Sequence, residues 1–193
     1  KNFDALKILS STAERLSQGE ILQIEKVLKK QLDEKTYYKM VSDKTASLFS
    51  ASCELGCITV GKNDKFQNAL SDFGEKLGLV FQIRDDLLDI IGSESTLGKS
   101  TVFDLKKNMQ TLPMIYILSK LNKLDRFQLI RSLRHHIKYS EKKKIKNLII
   151  SLGGVDYAKQ KIQQFSEEAK QHLSCFNDSI YKEAMFSLLD FNF

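Results

Sequence analysis

Proline occurs once in the 193 residues and glycine only nine times. So little punctuation argues against a fold of many short strands and tight turns, and the abundance of Leu, Lys, Ile and Glu favours helix almost throughout. No segment alternates apolar and polar residues between hairpin turns, so strands are not expected. No stretch approaches the roughly eighteen uninterrupted apolar residues of a membrane span. The opening residues, KNFDALKILSSTAERLSQ, lack an apolar core with a small-residue cleavage site, so no signal peptide is expected. They also lack an initiating Met, as a processed or truncated piece of a longer chain would. Three cysteines, Cys53, Cys57 and Cys175, make an odd set without framework or zinc-site spacing. That pattern points to reduced thiols in a cytoplasmic protein, with Cys53 and Cys57 as small core residues one helical turn apart.

What is present is a basic chain, net charge +6, with lysines spread along its length. Such a balance suits nucleic acid, anionic lipid or phosphate-bearing small molecules, and is equally that of a lysine-rich soluble exterior, as in the run Glu141–Asn147. No zinc-finger spacing or RNP-like aromatic motif accompanies the charge, so a nucleic-acid partner is not expected. Apolar spacing predicts helices over 5–31, 35–59, 65–92, 112–121, 124–138, 141–151, 155–174 and 178–190. Pro113 is placed for a first helical turn, where its missing N–H costs nothing. The longest loop, roughly 92–110, combines Gly, Ser, Lys and Asp, a composition and length common in functional loops.

The stretch GLVFQIRDDLLDI, Gly78 to Ile90, carries three carboxylates in an apolar helical run. Its helix has a predicted core face at Phe66, Leu70, Phe73, Leu77, Val80, Leu87 and Ile91. The opposite stripe holds Gly78, Gln82, Asp85 and Asp89, with Asp86 at its edge. Gly78, having no side chain, allows close approach to the backbone. Crowded aspartates raise each other's pKa and form helix poorly. Either they line a solvated acidic face, or a divalent cation removes the conflict. Mg²⁺, which takes oxygen ligands shared between carboxylates and substrate phosphates, fits the second case.

The order of motifs around this helix resembles the polyprenyl synthetase family, the trans-isoprenyl diphosphate synthases. The family's F-Q-x-x-D-D-x-x-D matches Phe81, Gln82, Asp85, Asp86 and Asp89; its K-T-A matches Lys44, Thr45 and Ala46. Its G-K-x-x-x-x-D-L and T-L-P match Gly98, Lys99, Asp104, Leu105, Thr111, Leu112 and Pro113, and LSQGEILQI precedes them all. The likeness runs from about Ala13 to the C-terminus. It implies an all-α, isoprenoid-synthase-type helical bundle, with residues 1–193 as the C-terminal portion of a single domain whose N-terminal helices are absent.

The resemblance further implies Mg²⁺-dependent condensation of isopentenyl diphosphate with an allylic diphosphate to give a longer all-trans chain. Asp85 would ligate Mg²⁺ directly, and Asp86 and Asp89 directly or through water. Lys44 and Lys99 would contact the allylic diphosphate as point cations. Thr45 and Gln82 would stand beside the developing cation; Phe81 would wall the isopentenyl site or pack into the core. Gln23 would face the site from the GEILQ helix. A homodimer is implied, and the small residues of 44–56 suit close helix packing.

Two departures qualify the match. Asn108 and Met109 stand where the family usually has Gly-Lys before T-L-P, with Lys106 or Lys107 as possible substitutes. The family's first aspartate-rich motif has no counterpart before Ala13, so the chain by itself is expected to show little or no synthase activity. The alternative role is a non-catalytic subunit of a heteromeric prenyl diphosphate synthase. A class I terpene cyclase fits less well, since no downstream Asn/Ser/Glu metal motif is found.

Overall fold

The computed structural model describes residues 2–29, 33–61, 63–91, 111–132 and 139–190, with the side chains of 27–29, 132 and 139–142 set aside. Among the described residues every regular element is helical. They are α1 (Phe3–Lys29), α2 (Glu34–Val41), a π-helical turn (Ser42–Ala46), α3 (Ser47–Thr59), α4 (Asp64–Ile91), α5 (Leu112–Lys120), α6 (Lys123–Ser132), α7 (Tyr139–Ser151), α8 (Gly154–His172), a 3₁₀ turn (Leu173–Cys175) and α9 (Ile180–Leu189). The helices expected from the sequence are there, with ends moved by one to a few residues. The segment read as one helix over 35–59 is instead α2 and α3 joined by the π turn. The last residues of the helices expected over 5–31, 65–92 and 124–138 lie outside the described residues. No described helix is long and apolar enough to cross a membrane.

The chain divides into two compact units. The first comprises Lys1–Lys30, Tyr38–Gln82 and Lys161–Phe193. Its core is Phe73 and Leu77 of α4, Ala169 of α8, Leu173 and Leu189, with Phe49, Cys53, Leu70, Phe176, Met185 and Phe186 packed against them. Cys57 is buried nearby on α3, so the two helical cysteines do serve as small core residues; all three cysteines are thiols. The small side chains Ala46, Ser47, Ser50 and Ala51 are buried inside this unit.

The second unit comprises Gln31–Tyr37 and Ile83–Gln160. Its buried side chains include Tyr37, Ile83, Leu87 and Ile90, together with Leu112, Met114 and Ile117 of α5 and Ile149 of α7. Pro113 sits in the first turn of α5, where proline's fixed φ suits a helix start. Tyr116 of α5 stacks on Tyr157 of α8 at 4.1 Å between ring centroids, and the Tyr157 hydroxyl donates to Glu34 of α2. Burial, then that bond and the Glu34 charge, push the Tyr157 phenol well above its ordinary range.

Candidate functional site

Lys44 and Thr45 occupy the π turn, a wider loop of backbone than an α-helical turn and a recurrent feature of functional sites. Two glycines let neighbouring helices press onto it. A Cβ on Gly19 of α1 would lie 2.7 Å from the Lys44 backbone nitrogen, and one on Gly78 of α4 would lie 2.4 Å from the Ala46 Cα. The close approach at Gly78 anticipated from the sequence is therefore made by the chain itself. Held in this way, Lys44 extends along α1. Its Nζ donates to Gln23 Oε1 at 2.6 Å and pairs with Glu20 Oε1 at 2.9 Å. Thr45 Oγ1 donates to Gln82 Oε1 of α4 at 3.0 Å. Gln23 and Gln82 are thus brought to the lysine and the threonine, one to each.

A charged network fastens the turn from beneath. Asp43 is 2% exposed, so its carboxylate requires partners. Arg15 Nε donates to it at 3.2 Å and Lys39 Nζ approaches at 2.7 Å. The same Arg15 grips Glu75 of α4 with two nitrogens, at 3.1 and 2.9 Å, and donates to the Ser42 hydroxyl at 2.7 Å. Burial alone would weaken the guanidinium's hold on its proton, but bonds and charges from Glu75 and Asp43 outweigh it and raise the pKa. Nothing in the sequence pattern singled out Arg15, Asp43 or Glu75. Their signal is three-dimensional, since α1, the turn and α4 meet only in the fold.

Phe81 is 53% exposed, with its ring 5.3 Å from that of Phe49. That exposure takes Phe81 out of the core.

In the second unit the aspartate end of α4 separates into two directions. Asp85 is exposed and Asp89 half-buried, one turn apart on the outer stripe. Asp86, about 100° further round the helix, falls between Ile83 and Ile90 on the inward side and is 7% exposed. The buried hydroxyl of Tyr37 donates to Asp86 Oδ2 at 2.7 Å. The stripe read from the sequence placed Asp86 at its edge; the helix carries it into the core, where Tyr37, not foreseen, receives it. Lys99 and Asp104, with the Gly98 to Leu105 match, lie outside the described residues.

Among the described residues no three His, Cys, Asp or Glu side chains converge as a complete metal-ligand set. Asp85 and Asp89 nevertheless supply two hard oxygen donors on one helix face. That donor set fits Mg²⁺, which keeps several waters and completes its shell with phosphate oxygens.

A family model described as polyprenyl synthetase matches residues 1–150. The geranylgeranyl diphosphate synthase of Methanosarcina mazei is 29% identical over 186 residues, covering 96% of this chain and 56% of the relative. Component 2 of the heptaprenyl diphosphate synthase of Bacillus subtilis is 38% identical over 128 residues, 66% of this chain and 37% of the relative. Among solved structures, a polyprenyl synthase from Caulobacter crescentus complexed with calcium and isoprenyl diphosphate superposes with a TM-score of 0.89 at 30% identity, covering 98% of this chain and 58% of that one. The chain thus spans little more than half the length of the relatives it matches end to end.

Proposed function

The chain belongs to the polyprenyl synthetase family, and from that premise we propose that it forms part of a Mg²⁺-dependent prenyltransferase condensing isopentenyl diphosphate with an allylic diphosphate to a longer all-trans polyprenyl diphosphate. One observation carries this reading. A single helix, α4, bears Gln82, bonded to the threonine of the Lys-Thr turn, and on its next turns Asp85 and Asp89.

In this mechanism Lys44 holds the diphosphate oxygens of the allylic substrate, a task for a point cation on a flexible stem. Lys99 adds a second cationic contact. The Thr45 hydroxyl and Gln82 amide, already oriented by their mutual bond, turn their dipoles toward positive charge growing on the allylic carbon. Phe81, beside Phe49, walls the isopentenyl site. As the allylic C–O bond breaks and inorganic diphosphate leaves, the isopentenyl double bond attacks that carbon. The new cation gives up a proton to the released diphosphate to form the longer chain. Asp85 and Asp89 would hold the metal. Asp86, anchored by Tyr37, acts through water or keeps the helix end in register. When bound, Mg²⁺ supplies neutralisation of the diphosphate charge. We place the reaction in the cytoplasm, where the three thiols stay reduced.

The test is equilibrium binding of farnesyl diphosphate with and without Mg²⁺, beside a condensation assay with isopentenyl diphosphate. Asp85→Asn is expected to abolish the Mg²⁺ dependence of binding. Lys44→Ala is expected to weaken binding roughly tenfold or more, the value of a charge-assisted hydrogen bond. Wild-type behaviour in both variants would overturn the reading.

The similarity to a synthase component in Bacillus subtilis favours one second reading, a subunit of a heteromeric synthase. Sedimentation distinguishes a 22.1 kDa monomer, the proposed homodimer and a heteromer. Condensation that appears only when a second polypeptide is added selects the heteromer.

A further inference from the structure

The Lys44 ammonium has two partners on α1, and they differ in kind. Gln23 offers an amide oxygen at 2.6 Å, and Glu20 a full negative charge at 2.9 Å. An amide can keep its bond when an anion reaches the third N–H of the ammonium, because it carries no charge to repel the newcomer. A carboxylate cannot do so without penalty. Packing does not demand the acid either. The Glu20 side chain is 56% exposed, and glutamine would fill the same space and accept the same bond. The approach of Gly19 to the Lys44 backbone keeps residue 20 beside the lysine whatever its charge.

We infer that Glu20 sets the anion affinity of Lys44: it is an internal counter-ion that occupies the lysine until a diphosphate displaces it. Its charge lowers the affinity of the lysine for any diphosphate, substrate or product, and so favours release. The inference rests on the reading of Lys44 as a diphosphate contact.

Calorimetric titration of the 193-residue chain with inorganic diphosphate tests it. Glu20→Gln should tighten binding about two- to fivefold at low ionic strength, the range of a partly exposed ion pair. The gain should shrink at about 1 M salt, where the Debye length is about 3 Å. It should vanish in the double variant with Lys44→Met, whereas a merely structural effect of Glu20 would survive both salt and loss of the lysine. Unchanged or weaker binding by Glu20→Gln, absence of binding in both chains included, overturns the counter-ion. If Lys44→Met alone binds as tightly as wild type, the reading of Lys44 itself falls. If Lys44→Met weakens binding while Glu20→Gln changes nothing, only the role of Glu20 is lost.

Discussion

Adding one methyl group at Gly78 tests how closely α4 presses on the Lys-Thr turn. A Cβ there would stand 2.4 Å from the Ala46 Cα, 2.8 Å from its Cβ and 3.2 Å from its nitrogen. Carbon atoms settle at about 3.5–4.0 Å, so the overlap exceeds an ångström. Alanine has no rotamer to escape into, and the atoms it meets are backbone or next to it. Either the π turn or α4 must move. Overpacking of this kind costs about 1–3 kcal/mol, and rigid neighbours place Gly78→Ala at the upper end. Replacing a mid-helix glycine returns about 1 kcal/mol. The balance is a loss of about 2 kcal/mol, or about 4–8 °C in Tm for a chain of this size. Gly56 of α3 provides the control, because its added Cβ meets nothing within 4 Å. Gly56→Ala keeps only the propensity gain and should raise Tm by about 2–4 °C. Thermal unfolding followed by far-ultraviolet circular dichroism reads both. A Gly78→Ala chain as stable as wild type, or stabilised alongside Gly56→Ala, would refute the close-approach reasoning.

Tyr37→Phe should lower stability in urea by about 2 kcal/mol, because it removes a hydrogen bond to a buried carboxylate; a loss below about 0.5 kcal/mol would mean the bond carries little. The second prediction concerns acid. Burial pushes the Glu168 carboxyl up, but hydrogen bonds from Lys76 and Gln164 and the charges of Lys76 and His172 leave it net below its ordinary 4.5. A carboxylate so depressed adds stability that is complete above the ordinary value and disappears as pH falls through the lower, folded one. Glu168→Gln should therefore be less stable than wild type at neutral pH, with the gap closing in acid. A gap that stays constant from neutrality down through the carboxylate range would show that the ion pair is not its source.

Much of this was legible in the sequence because it depends on local spacing. The family, the all-helical class and the inward run Phe73, Leu77, Val80 and Leu87 follow from motif order and the helical period, and the fold carries them all. Gln23 and Gln82 were named from motifs, and the structure supplies the partners, Lys44 and Thr45, that motifs cannot. Other features depend on what lies across from a residue. Gly78 read as an opening on a polar stripe, yet Ala46 fills it. Asp86 read as the edge of that stripe, and only the position of Tyr37 shows that it turns inward. Arg15 looked like any surface cation on α1, because Asp43 and Glu75 are remote from it in sequence. The π turn was invisible for a different reason. Its residues, Ser-Asp-Lys-Thr-Ala, form ordinary helix equally well, so nothing in their propensities announces the wider loop.

That turn has a consequence for how length variation can be tolerated here. A π turn behaves as a helix with one residue inserted. Deleting any one of Ser42 to Ala46 would let the backbone close into an unbroken α-helix, with no hydrogen-bond ladder lost. The wider turn already absorbs the extra residue, so the sequence on either side of such a deletion would keep nearly its present facing. α2 and α3 would keep their faces, and the change would fall on the side chains of the turn itself, Asp43, Lys44 and Thr45. A one-residue deletion harmless to helix content would thus reach the charged and hydroxyl groups of the turn and leave the two flanking helices in register.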